Sequence, residues 1–120
     1  MGDPFKDAIT ELFSASEAIT GVGFTDLDGE DIAVTPRAER EALRMCAAYG
    51  GIALRRLSGT EKRAGRGPIK HITLTGQTGA FVTLAVGEEY QLVVTVADGA
   101  HPGQVAFEAQ KAVDTLVQNI

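Results

Sequence analysis

Residues 22–34, VGFTDLDGEDIAV, decide how this chain begins to fold. Four acidic residues, Asp26, Asp28, Glu30 and Asp31, crowd around Gly29. The stretch reads as a calcium loop, an acidic catalytic site or a plain turn, and register separates these. With Gly29 at the sixth position of an EF-hand loop, Asp26 and Asp28 fall at the third and fifth. Phe24 and Thr35 then stand at the first and twelfth, where neither supplies the carboxylate the ion needs. Asp28-Gly29 is instead a strong two-residue hairpin signal, because a type I′ turn requires positive φ at both central residues. Val22-Gly23-Phe24-Thr25 before it and Ile32-Ala33-Val34-Thr35 after it are apolar or β-prone. The expectation is a hairpin with its carboxylates solvated at an exposed tip, and no metal.

Upstream, residues 4–19 carry Phe5, Ile9, Leu12, Phe13, Ser16 and Ile19 at helical spacing. Asp3 is placed to cap that helix and Pro4 suits its first position. Gly21 and Gly23 lead into a strand near 22–27, and a second strand lies near 31–35. Thr35-Pro36 then reads as the start of a middle helix running to Leu57, with Thr35 as cap and Glu39 assisting. One stripe of it, Leu43, Cys46, Gly50, Leu54 and Leu57, suits a core. A second joins Arg40, Arg44, Ala47, Ala48, Gly51 and Arg55, which are small side chains flanked by arginines. A third, Met45, Tyr49 and Ile52, is apolar again, so a single sheet face cannot bury the whole circumference. Gly50 and Gly51 each cost roughly 1 kcal/mol against Ala in a helix. Close approach of another backbone would explain them, and a break in the helix is the alternative.

Residues 58–68, SGTEKRAGRGP, read as a polar loop without the order of a phosphate loop. Strands follow at 69–75, 80–86 and 90–97. The third of these loses its alternation in Leu92-Val93-Val94-Thr95-Val96, as a central strand covered on both faces would. Residues 102–119 form a closing helix with Val105, Ala109, Ala112, Val113, Leu116 and Ile120 on one face. The fold class is α+β, in the order α-β-β-α-β-β-β-α and as a single domain over 1–120. A five-stranded antiparallel sheet is expected, with the first and last helices on one face and the middle helix on the other.

Function classes narrow by what the side chains offer. The 120 residues carry a net charge of −5, yet residues 37–70 hold nine basic residues against three acidic ones, +6, leaving −11 elsewhere. Such asymmetry marks a contact face for an acidic partner or a solvated helix and loop. His71, His101 and Cys46 are the only His and Cys residues. They make no catalytic constellation or zinc spacing, so no enzyme and no cofactor is expected. The basic loop lacks the interleaved aromatics of a nucleic-acid binder. No apolar run reaches the length of a membrane span. The acidic, charge-interrupted first residues and the lone cysteine suggest the cytoplasm.

The hairpin GFTDLDGEDIA, the middle helix, the run ITLTGQTGAFVTLAVGEEYQLVVTVADGA and the closing helix together resemble the roadblock family. These are the dynein roadblock-type light chains and MglB-type bacterial regulators of Ras-like GTPases. The resemblance spans nearly the whole chain and rests on D-x-D-G-x-x-I-A and I-x-L-x-G-x-x-G-x-F-V-x-L, which are fold patterns and not catalytic signatures. It implies a dimer in which the third strands pair into a ten-stranded sheet and the middle helices lie together. The interface would take Met45, Tyr49, Ile52 and the strand residues Lys70, His71, Ile72, Thr73 and Leu74. It also implies a small-GTPase partner on Arg40, Arg44, Ala47, Ala48, Gly51 and Arg55. Arg55, Arg56, Arg63 and Arg66 are the candidates for an arginine given in trans, and positioning of the GTPase's own residues is the preferred mode. A paralogue could replace the homodimer mate. A structural adaptor, or a small-ligand sensor with a polar-lined cavity, are the other classes left open.

Overall fold

Helix α1 (Pro4–Ala15) begins where Asp3 accepts hydrogen bonds from the backbone N–H groups of Phe5 and Lys6, at 3.0 and 3.3 Å. Such a cap satisfies donors that the first turn leaves without helical partners. The computed structural model describes residues 2–120; Met1 lies outside them, as do the side chains of Glu61 and Lys62. The helix ends at Ala15, four residues short of the expected boundary. Ser16 turns extended there and its hydroxyl accepts the N–H of Ala18. Ile19 therefore opens strand β1 (Ile19–Asp26), where it faces Val96 across the sheet.

Strand β2 (Asp31–Thr35) returns antiparallel to β1. Thr35 is paired with Val22 in this ladder, so it ends a strand and does not cap a helix. A short 3-10 turn (Arg37–Glu39) follows Pro36, and α2 (Arg40–Leu57) starts after it without a side-chain cap. This helix passes unbroken through Gly50 and Gly51. The segment expected as loop contains one short helix, α3 (Thr60–Ala64). Strands β3 (His71–Thr75), β4 (Ala80–Val86) and β5 (Tyr90–Val96) and helix α4 (Pro102–Gln118) complete the chain.

The sheet runs β2-β1-β5-β4-β3, with every neighbouring pair antiparallel. The strand whose alternation failed, β5, lies at the centre, and Leu92, Val93 and Val94 are fully buried. Helices α1 and α4 cover one face over a large core that includes Ile9, Leu12, Phe24, Val82, Leu84, Val94 and Leu116. Helix α2 covers the other over a smaller one, Val34, Leu43, Ala47 and Val93, with Cys46 and Phe81 beside it. Two residues expected on core stripes are exposed: Leu57, the last residue of α2, and Ile120, which lies beyond the end of α4.

Candidate partner-binding surface

The β1–β2 turn is wider than a two-residue hairpin. Only Gly29 takes positive φ, +93°, and Asp28 does not. The Gly29 N–H donates to the Asp26 carbonyl at 3.2 Å, and the Asp26 N–H to the Glu30 carbonyl at 3.0 Å. This is a three-residue loop closed by one left-handed glycine. Asp26 organises it, since its carboxylate accepts from the N–H groups of Asp28 at 2.9 Å and Glu30 at 3.0 Å.

Two of the other acids reach across to α2. Arg55 donates through Nη1 to Asp28 at 2.9 Å, and Arg40 donates through Nε and Nη2 to Asp31 at 3.2 and 3.4 Å. Partial desolvation pushes the pKa of Asp31 upward. The Arg40 bond, a backbone hydrogen bond and the charges of Arg40 and Arg44 outweigh it and leave the pKa below its ordinary value. Asp28 and Glu30 are exposed at the tip, as expected, but the tip is not free of partners: opposite charges 27 and 9 residues apart in the chain meet on one surface.

The strip of small residues on α2 is the seat of that turn. A Cβ on Gly51 would overlap the Leu27 carbonyl, and a Cβ on Gly29 would meet the Ala48 backbone nitrogen at 3.2 Å. Gly50 faces the sheet, where a Cβ would come within 2.8 Å of Gln91 Oε1 and 3.0 Å of Thr83. Gln91 itself is fully buried. Its Nε2 donates to the Ala47 carbonyl at 2.8 Å and the Asp26 carbonyl at 3.1 Å, and its Oε1 accepts from the Thr83 hydroxyl at 2.7 Å. One amide thus ties helix, hairpin and two strands, satisfying its polar atoms where water is absent. Of the residues assigned from sequence to a partner, Ala47 and Gly51 are buried by the chain itself and Ala48 is half-buried. Arg40, Arg44 and Arg55 keep exposed side chains beside the turn. Gln91 was missed in the sequence, although a lone amide in an otherwise apolar central strand was the signal.

The third stripe points to solvent. Met45, Tyr49 and Ile52 are 60, 64 and 50% exposed. Strand β3 lies at the sheet edge, with Lys70, His71 and Thr73 exposed, Ile72 half-buried and Leu74 40% exposed. Ile72 and Leu74 stand opposite Thr83 and Phe81, on the α2 side of the sheet. The Ala85 N–H donates to the Lys70 carbonyl at 3.0 Å. Antiparallel alternation then turns the backbone groups of His71, Thr73 and Thr75 away from β4. Arg56, Arg63 and Arg66 are exposed as well, and no ion pair reaches them among the described residues.

The remaining chemistry is sparse. A cavity of about 520 Å³ opens between the end of α2, Pro68-Ile69 and the β4–β5 turn, lined by Leu27, Leu54, Tyr90 and the already paired Arg55 among others. Cys46 is half-buried on α2, and burial pushes its thiol pKa up. His71 sits on the exposed edge strand and His101 precedes α4. Among the described residues no group of three or more His, Cys, Asp or Glu is placed to hold a metal ion, and no helix is long and apolar enough to cross a membrane.

No family model and no curated protein matches the sequence. Solved structures do match. MglB of Myxococcus xanthus superposes with a TM-score of 0.77 at 19% identity, over 96% of this chain and 93% of that one. The gliding protein MglB of Thermus thermophilus gives 0.78 at 17%, over 98% and 91%. A Roadblock/LC7 domain from Streptomyces avermitilis gives 0.76 at 14%, over 95% of each chain. Identities this low speak for architecture alone. In element order, sheet order and helix placement, the chain has the roadblock fold.

Proposed function

We propose that the protein is a homodimeric regulator of a Ras-like small GTPase, without an active site of its own. The likeness to MglB structures supports the GTPase-system reading, and the observation that carries the dimer is the line Met45-Tyr49-Ile52, half or more exposed on α2, on the same side of the sheet as the edge residues Ile72 and Leu74. A contiguous apolar face next to unpaired strand groups is what an interface looks like in a lone subunit. Pairing of β3 with β3 of a second copy would satisfy the edge and bring the α2 stripes together. The partner-facing residues are then Arg40, Arg44 and Arg55 with the hairpin acids among them, Ala48 at their margin, and Ala47 and Gly51 supporting from beneath.

The mode we favour is positioning of the GTPase's own catalytic residues. Arg55 and Arg40 pair with Asp28 and Asp31, which biases them toward one charge pattern on this surface. Such patterns favour encounter and register. The competing mode, an arginine supplied in trans, falls to Arg56, Arg63 and Arg66. Titration of the protein against Ras-like GTPases of the same organism, loaded with GTP or GDP and followed by light scattering and single-turnover hydrolysis, tests both. Complex formation with one nucleotide form, changed turnover, and retained stimulation in Arg56→Ala, Arg63→Ala and Arg66→Ala are expected. A variant that binds normally but loses stimulation would assign the trans-arginine role. No binding to either form would remove the GTPase from the proposal.

A further inference from the structure

The two edges of the sheet are not equivalent. On β3 three residues, His71, Thr73 and Thr75, turn their backbone donors and acceptors outward, and among the described residues no side chain bonds to them. On β2 the Asp26–Glu30 backbone bond fixes the alternation along β1. Phe24 and Val22 then bond toward β2 and Gly23 bonds toward β5. Val34, opposite Gly23, therefore turns its own groups outward. Its carbonyl is already taken: Lys6 Nζ on α1 donates to it at 2.8 Å. On either side of Val34 the edge is interrupted. The register shifts in the stretch that contains Ile32, and Pro36, just past the end of the strand, has no N–H to give.

We infer that Lys6 closes the β2 edge, so that self-association of this chain runs through β3 alone and stops at two copies. The inference rests on the dimer proposed above for its consequence, though not for its geometry. A dimer joined at β3 would carry β2 at both ends of a ten-stranded sheet. An incoming strand would have to displace the lysine side chain from the one regular outward carbonyl there. Lysine on an edge is a known obstacle to strand addition.

Sedimentation velocity over a wide concentration range tests this on the wild type, Lys6→Met and Lys6→Arg, with far-ultraviolet circular dichroism as a check of fold. Methionine keeps the apolar stem over the strand and removes the donor. If the inference holds, the weight-average mass of Lys6→Met rises with concentration to at least twice that of the wild type, and Lys6→Arg stays at the wild-type value. Equal masses for Lys6→Met and wild type at every concentration would overturn it, whatever the wild-type state. A monomeric wild type would sink the β3 dimer instead, and a Lys6→Met variant that then dimerises would still support the closed edge.

Discussion

Gly51 shows how one missing carbon decides local structure. In a helix interior glycine costs about 1 kcal/mol relative to alanine, so Gly51→Ala would stabilise an isolated α2. In the fold its Cβ would overlap the Leu27 carbonyl, a backbone atom that moves only if the hairpin lifts. Overpacking of this kind costs about 1–3 kcal/mol. Urea unfolding should therefore show Gly51→Ala less stable than wild type despite the better propensity, and a more stable variant would mean that the Leu27 carbonyl does not rest on Gly51. Asp31 makes a second case. Its folded pKa lies below the ordinary value, so its pair with Arg40 stabilises the fold at neutral pH, and that contribution fades as the carboxylate protonates on acidification. Exposed pairs are worth only ~0.2–1 kcal/mol. Asp31→Asn should lose about that much at pH 7 and converge with wild type once acidification has carried the pH below the lowered pKa of the carboxylate; a gap that does not close on acidification would place the effect elsewhere.

Among the elements, those whose side chains alternate or recur were legible. The alternation of Ile72 and Leu74, the loss of alternation in β5, and the spacing of Val105, Ala109 and Leu116 gave the strands, their centre and a helix face. Boundaries set by backbone bonds were not. Ser16 ends α1 through its own local hydrogen bonds, and Thr35 belongs to β2 because of its pairing with Val22. The arginine-flanked strip on α2 was visible as a strip needing a neighbour, but the neighbour was misjudged. Nothing in side-chain periodicity announces that the Leu27 carbonyl will rest on Gly51. At this scale β3 makes a sharp demand. The Thr73 N–H points away from β4, so proline at 73 removes no ladder bond within the subunit. Thr73→Pro should retain the wild-type circular dichroism and thermal unfolding while self-association drops; loss of fold would refute the register, and undiminished association would move the interface off β3.

For the whole molecule, charge and apolar surface separate into two flanks of one helix. The acidic turn meets the arginines Arg40 and Arg55, which explains part of the uneven charge along the chain without any partner. Met45, Tyr49 and Ile52 have no such answer within the subunit, and Tyr49 is the kind of large amphipathic side chain that anchors interfaces. That unanswered face is the basis for a dimer, and the dimer for a regulator with two equivalent surfaces. Sedimentation equilibrium of the wild type beside Tyr49→Lys puts it to the test most directly. A wild-type dimer weakened by about 30-fold or more in the variant, the ~2 kcal/mol expected of an interface anchor, is the expected result. A wild type that stays monomeric at high concentration, or a Tyr49→Lys variant that dimerises as well as wild type, would contradict it.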